Sequence, residues 1–359
     1  MEEEIEKGSN VGYRGIEFGW PLPHDAFGGH GERVFASYPT AEPVSSLEGR
    51  RFKSCPRTQK PPFTGGLERI SPMEKLLTQA QVDAYHRDGY LFPIRAFSAA
   101  EAQRYRTALE DYEARIGTKL TSAGKYRSRT YLLFQWAQEL VRHPRILDAV
   151  EDILGANILV FTTTWFIKEP GTPHVAAWHQ DATHFGLEPN DQHVTAWLAL
   201  SDASLESGCM QFSAGSHKRG QLAHGYGVAA SVNDANQFIP DPGQLGTIAD
   251  CCLQPGQFSL HHTLVVHQSG PNNSRDRRIG IGISYIPTWV KHTGSQRHTA
   301  HLVRGVDNHG HFDLDPPPAS DFDAAAQATH DASYASYAKN YAEQVKRHIE
   351  KTRAAVDRT

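Results

Sequence analysis

Four segments between residues 157 and 287 limit the possible folds more than anything else in this 359-residue chain. They are NILVFTTTWFIKEP, HVTAWLALSDAS, GQFSLHHTLVVHQSG and RRIGIGISYIP. Each is rich in β-branched and aromatic residues, and the middle two alternate apolar with polar side chains, as half-buried strands do. The turn clusters LESG, SAGSH, DPGQ and GPNNS separate them. A parallel sheet needs long crossovers, usually helical, between its strands. Few helical patterns interrupt these segments, so the sheet should be mostly antiparallel, a barrel or a sandwich.

Helical signals flank this β-rich stretch. Thr78 stands three residues before Gln81, a capping-box pattern, and Gly89 supplies the stop. Ser98 and Glu101 repeat the device. The run YLLFQWAQELVRHPRILDAVEDILG reads as two helices divided near Pro144, the second ending at Gly155. Past residue 318, YASYAKNYAEQVKRHIEKTRAA reads as a helix whose Tyr334, Tyr337, Tyr341 and Val345 form one stripe at spacings of three and four. Residues 1–75 lack a sustained period and carry eight prolines between Pro21 and Pro72. They read as a Pro/Gly-rich extension, either an arm wrapping the domain or a second subunit, or a disordered segment. The expected division is thus 1–75 extension, 76–318 main domain and 319–359 helical segment.

A formal charge of −4 gives no basic footprint for nucleic acid. No apolar run is long enough to span a membrane. The acidic start MEEEIEKGSN has no signal-peptide core, which suits a soluble cytoplasmic protein. The four cysteines, Cys55, Cys209, Cys251 and Cys252, contain no CxxC. That spacing argues against a disulfide framework or a structural zinc site. A homo-oligomer formed through the N-terminal arm or the C-terminal helix is compatible with this pattern.

The chemistry concentrates in WHQDATHFGLEP. His179 and Asp181 are two apart, which places them on one face of a strand. HxD alone also fits a surface hydrogen-bonded pair, so a third ligand is needed. His267 follows the apolar run LVV and precedes the turn cluster QSGPNNS, at a strand end. His261 and His262 are nearby alternatives. Arg278, eleven residues after His267, opens the next strand and can project into the same cavity. Two imidazoles and one carboxylate on one face make the 2-His-1-carboxylate set of non-haem Fe(II) oxygenases. A co-substrate such as 2-oxoglutarate brings a distal carboxylate, for which Arg278 offers a bidentate cation. Arg277 should point to the opposite face. Taken singly, His267 reads equally as a core histidine and Arg278 as a surface ion pair.

Together these segments resemble the phytanoyl-CoA dioxygenase family of Fe(II)/2-oxoglutarate oxygenases. The likeness spans roughly residues 76–290. It opens with LTQAQVDAYHRDGYLFP and is densest in WHQDATHFGLEPNDQHVTAWLALSDASLESGCMQFSAGSHKRG and HQSGPNNSRDRR. The resemblance implies a mostly β domain with flanking helices around a double-stranded β-helix, a cupin-like jelly roll. It implies Fe(II) on His179, Asp181 and His267, and 2-oxoglutarate anchored by Arg278. It adds Ser269 as a second contact to that carboxylate and Trp197 as a lining aromatic, although Trp197 also reads as ordinary core.

Lys168 faces either the cavity or solvent. His217 looks like a structural turn residue. His184 falls in a loop, at the surface or against substrate. Related halogenases carry Gly or Ala where this chain has Asp181, so halogenation is not expected. The implied reaction consumes O2 and 2-oxoglutarate and hydroxylates a C–H of a small molecule or biosynthetic intermediate. Desaturation, epoxidation and rearrangement use the same ligands. No basic cluster suited to the phosphates of coenzyme A stands out. A zinc hydrolase and a non-catalytic jelly-roll binding protein are the competing readings.

Overall fold

The structure is a computed structural model, and it describes residues 76–121, 124–226, 237–239 and 245–356. The proposed N-terminal arm lies outside the described residues. The helical signals are realised as read. Helix α1 (Gln79–Asp88) starts with a reciprocal capping box between Thr78 and Gln81 and stops at Gly89, at φ +86°. Helix α2 (Ala99–Ile116) repeats it with Ser98 and Glu101 and stops at Gly117. Helices α3 (Gln135–Val141) and α4 (Pro144–Leu154) divide at Pro144, whose missing N–H is harmless in a first turn. Helix α5 (Ala324–Val356) begins ten residues earlier than the tyrosine stripe. Tyr337 and Val345 on that stripe are buried. No described helix is long and apolar enough to cross a membrane.

Eleven strands build two sheets among the described residues. In chain order they are β1 (Tyr90–Arg95), β2 (Ile158–Lys168), β3 (Ala176–His179), β4 (Val194–Ala199), β5 (Met210–Ser213) and β6 (Ile248–Cys251). There follow β7 (Gln257–His262), β8 (His267–Ser269), β9 (Arg278–Pro287), β10 (Thr299–Arg304) and β11 (Asp313–Leu314). The large sheet runs β1-β7-β4-β9-β2-β10-β11, the small one β3-β8-β5-β6. Every pair is antiparallel except β10 with β11. The sheets do not close into a single barrel, and one cavity takes its lining from both. This is the jelly-roll type of architecture.

Alternation along β9 shows how the sequence assigns the two faces of the large sheet. Ile279, Ile281, Ile283 and Tyr285 enter a core shared with Tyr105, Leu109, Leu140, Ile146 and Val150 of the helices. Burying each aliphatic side chain contributes about 1.5–3 kcal/mol, so this row holds the helices to the sheet. The other face carries Arg278, Gly280, Gly282 and Ser284, opposite Lys168, Phe166, Thr164 and Thr162 of β2. Small residues there leave room for the cavity. A Cβ on Gly280 would sit 1.9 Å from the Trp197 ring, so the indole requires glycine at that position. In β4, Val194, Ala196 and Leu198 join the helix-side core, while Thr195 and Trp197 face the cavity.

One expectation fails. The segment GQFSLHHTLVVHQSG reads as a single strand, but a turn over residues 263–266 divides it into β7 and β8. The halves join different sheets, so His261 and His267 approach from opposite walls. For the same reason β8 and β9 are not paired neighbours. His267 and Arg278 meet across the space between the sheets, not along one sheet.

Candidate active site

His179 is the last residue of β3, and Asp181 opens a short 3-10 helix, so the two do not share a strand. The period-two argument survives because Gln180 between them stays extended, at φ −121° and ψ 136°. Its buried side chain donates to the carbonyls of Gly220 and Leu264 and accepts from the Leu222 N–H. These bonds hold the corner between His179 and Asp181 in one conformation. His267 sits across from His179 in the β8–β3 ladder.

The two imidazoles are oriented alike. Nδ1 of His179 lies 2.7 Å from the Ala177 carbonyl, and Nδ1 of His267 lies 3.0 Å from that of Val265. A carbonyl only accepts, so each Nδ1 carries the proton and each Nε2 presents a lone pair. Both Nε2 atoms lie 3.6 Å from Asp181 Oδ1. Lone pairs facing a carboxylate oxygen repel unless a cation lies between them. Burial and the neighbouring His267 push His179 down to about 4, and burial lowers His267 as well. Burial alone would raise Asp181, but His267, His261 and His179 around it hold it well below the usual carboxylate range. Neutral imidazoles and an ionised carboxylate are the forms that ligate metal. Among the described residues these three form the one group of this kind with donor atoms mutually within 4.8 Å.

Sequence reasoning missed what orients Asp181. Its Oδ2 accepts from Thr195 Oγ1 at 3.0 Å and lies 3.2 Å from His261 Nε2. That leaves Oδ1 aimed at the two histidines. His261, weighed in the sequence as an alternative ligand, is instead the carboxylate's partner from the opposite sheet. The available signal was strand register: His261 pairs with Thr195 across β7 and β4, which puts both on the cavity face.

Arg278 and Arg277 separate as strand alternation requires. Arg277 turns outward to Glu113 at 2.8 Å and to Glu169. Arg278 is 1% exposed and lines the cavity. One Nη donates to the Gly208 carbonyl at 2.8 Å, and its guanidinium lies 5.3 Å from the Trp197 ring centre. Its Nε is buried with no hydrogen-bond partner. Lys168 lies directly opposite Arg278 in the ladder and is also fully buried, which corrects the solvated alternative. Its Nζ donates to Ser269 Oγ at 2.7 Å and to the Ser269 and Gly270 carbonyls. Burial and Arg278 push this amine down to about 6, yet three acceptors around one nitrogen are the arrangement an ammonium requires. Burial also brings Arg278 down to about 10. Neither cation has a carboxylate partner among the described residues, and the Arg278 guanidinium keeps donor capacity facing the cavity.

Ser269 and Trp197 line the same space, together with Phe166, Phe185, Met210, Thr162, Thr164 and Ser284. His217 is structural, packed against Gly89 and His262. His184 is neither a surface residue nor a cavity wall, in contrast to the loop reading. It is 2% exposed, its Nε2 3.0 Å from the Tyr226 hydroxyl and its Nδ1 3.3 Å from that of Tyr341 on α5. The residue that covers it lies 157 positions away, beyond the reach of a local reading.

Comparison with known proteins points the same way. The sequence profile of phytanoyl-CoA dioxygenase (PhyH) matches residues 85–280, more than half of the chain. The peroxisomal phytanoyl-CoA dioxygenase of Homo sapiens is 26% identical over 231 residues, 58% of this chain and 68% of that protein. A methylphosphonate hydroxylase of Gimesia maris is 26% identical over 59% of this chain and 82% of its own length. Among solved structures, the non-heme monooxygenase ThoJ in its apo form superposes with a TM-score of 0.67 at 32% identity, covering 74% of this chain and 99% of ThoJ. Strand order, ligand-type cluster and sequence likeness coincide over the same residues, and the chain belongs to the phytanoyl-CoA dioxygenase family, a member of the iron(II)- and 2-oxoglutarate-dependent oxygenases.

Proposed function

We propose that this protein hydroxylates an unactivated C–H bond of a small molecule, with His179, Asp181 and His267 holding iron(II) and Arg278, Ser269 and Trp197 holding 2-oxoglutarate. The observation that carries this reading is the convergence of two deprotonated Nε2 atoms on Asp181 Oδ1, in the same cavity as a buried, partly unpaired arginine. With iron bound, the group supplies the oxidising chemistry in which O2 and 2-oxoglutarate become CO2, succinate and one hydroxyl oxygen on the substrate. The protein's own contribution is orientation, charge and exclusion of water.

Nδ1–H of both histidines stays on the backbone, so neither ring can turn its lone pair away. Thr195 and His261 keep Oδ2 of Asp181 occupied and leave Oδ1 for the metal. Arg278 brings unspent N–H donors to the distal carboxylate of the co-substrate, next to Lys168. Because Lys168 donates to Ser269 Oγ, the Ser269 hydroxyl proton is free to point at the same carboxylate. Trp197, beside Arg278, would offer the co-substrate chain a flat apolar wall. The remaining wall mixes Phe166 and Phe185 with the hydroxyls of Thr162, Thr164 and Ser284. That mixture suits a compact, partly polar substrate. Asp181 occupies the position that an anionic ligand would need, which favours hydroxylation over halogenation.

The test is stoichiometric. Purified protein loaded anaerobically with iron(II) should hold one ion per chain and release succinate from 2-oxoglutarate in the presence of O2. Screening small acids, phosphonates and amino acids for faster succinate release would identify the substrate class. No succinate above a metal-free control, with iron bound, would sink the proposal.

A further inference from the structure

Three cysteines lie among the described residues, and two of them meet. Met210 pairs with Cys251 at the end of the β5–β6 ladder, and Cys209 and Cys252 each stand one residue beyond that pair. Their sulfur atoms are 3.9 Å apart. Cys251 points elsewhere and is buried, whereas Cys252 is partly exposed and Cys209 is covered. Contact with Cys209 and the Leu205 backbone favours ionisation of Cys252, lowering its thiol below the usual range. The same contact raises Cys209. The pair thus sets a partly exposed sulfur in contact with a covered one, the arrangement of an attacking and a resolving sulfur.

The segment carrying Cys209 also belongs to the Arg278 end of the cavity. Gly208 immediately before it accepts from Arg278, and Met210 immediately after it lines the cavity. Gly208 has no slack: a Cβ there would lie 2.3 Å from the Gly270 carbonyl oxygen. Closing the sulfurs from 3.9 Å to a bond of about 2.05 Å re-sets the Cys209 side chain, and Gly208 beside it has no room to take up the change.

We propose that Cys209 and Cys252 are a site of reversible oxidation, and that their disulfide displaces the Gly208 carbonyl from Arg278 and weakens co-substrate binding. The oxidant is a peroxide. The Cys252 thiolate attacks hydrogen peroxide, an S–O bond forms, the O–O bond breaks, and hydroxide leaves and is protonated to water. The Cys209 sulfur then attacks the sulfenic sulfur, an S–S bond forms, the S–O bond breaks, and the second water leaves carrying the Cys209 proton. Two thiols lose two electrons and one peroxide gains them. Dithiol reductants reverse the change. The cross-link stands on sulfur geometry alone, while its effect on co-substrate rests on the reading of Arg278 given above.

The test treats the full chain with hydrogen peroxide before iron is added, so that oxidation of iron does not enter. After removal of peroxide, peptides are mapped without reduction. The expected result is a Cys209–Cys252 cross-link lighter by two hydrogens, abolished by dithiothreitol and absent in Cys252→Ser. After iron loading, the oxidised chain should show a KM for 2-oxoglutarate raised roughly ten-fold, the scale of losing one hydrogen bond to a charged group. Dithiothreitol should restore it, Cys252→Ser should never show it, and Cys251→Ser should behave as the unaltered chain does. Bridges through Cys55 or Cys251, or oxidation of Cys252 to sulfinic acid with no cross-link, overturn the site. A cross-link with unchanged KM, or a KM rise that persists in Cys252→Ser, overturns the coupling. If the reduced chain consumes no 2-oxoglutarate at all, the functional reading fails while the peptide map still decides the cross-link.

Discussion

Two clusters of imidazoles lie on either side of Gln180, and among the described residues only one has a carboxylate within ligand distance. In the first, His179 and His267 lock Nδ1 onto the carbonyl two residues earlier and turn Nε2 toward Asp181. In the second, His224 uses the same device, its Nδ1 3.0 Å from the Leu222 carbonyl. Its Nε2, however, accepts the backbone N–H of Gln180 at 3.2 Å. His184 is flanked by two tyrosine hydroxyls, and His348 packs beside both rings. Ring orientation and burial are therefore not what distinguish the clusters. A lone pair already taken by an N–H is unavailable to a cation, and among the described residues the second cluster has no carboxylate within ligand distance. The first contains a carboxylate to balance a dication; the second serves to dock α5 onto the turn after Asp181.

The sharpest way to break this comparison is to remove ligands from each side. Asp181→Ala and His267→Ala should each abolish succinate release and drop bound iron well below one per chain, measured by metal analysis. His348→Ala should retain full iron content. Iron lost from His348→Ala but kept in Asp181→Ala would invert the assignment.

Next in size is the arginine pair. Arg278→Ala should raise the KM for 2-oxoglutarate by about 30-fold or more, the equivalent of about 2–5 kcal/mol for a desolvated charge pair. Iron content should stay the same. Arg277→Ala should leave that KM alone and cost about 1–3 kcal/mol of stability in denaturant unfolding, because buried Glu113 keeps only Lys119 and the Leu120 N–H. Exchange of these two phenotypes would put the strand register off by one.

A smaller effect is expected from the groups that aim Asp181. Thr195→Val keeps shape and removes one hydrogen bond to Oδ2. Iron affinity should weaken by about 10-fold, at the low end for groups that orient a ligand. Unchanged affinity would mean that His261 alone sets the carboxylate.

The mildest test is pH. Burial lowers His184 well below its ordinary value, His224 to about 3, and His348 as well. In the unfolded chain these rings take up protons near pH 6.5. Between that pH and about 3 the unfolded state binds more protons, so stability falls as pH falls. Their contribution is whole above pH 6.5 and is lost progressively below it. In metal-free protein, the drop in melting temperature from pH 7 to pH 5 should shrink in His184→Gln. An identical drop in that variant would show that the second cluster does not sense pH.

Features set by residues a few positions apart were legible in advance. The capping boxes at Thr78 and Ser98, the stops at Gly89 and Gly117 and the break at Pro144 depend on the next three or four residues. Alternation placed Arg278 inward and Arg277 outward, and Thr195 with Trp197 on the cavity face. HxD, a distant histidine and an arginine eleven residues on named side chains that the structure brings to one cavity.

Only the tertiary structure decided which sheet each strand joins. GQFSLHHTLVVHQSG looks continuous, yet its two halves lie in different sheets because each half pairs with strands dozens of residues away. That division turned His261 from a rival ligand into the partner of Asp181. Long-range packing likewise buried His184 under α5, set Lys168 beside Arg278 and brought Cys209 into contact with Cys252. Caps and alternation follow from backbone geometry within a few residues. Contacts across a cavity depend instead on which distant segments share a core, and that free energy is summed over the whole fold.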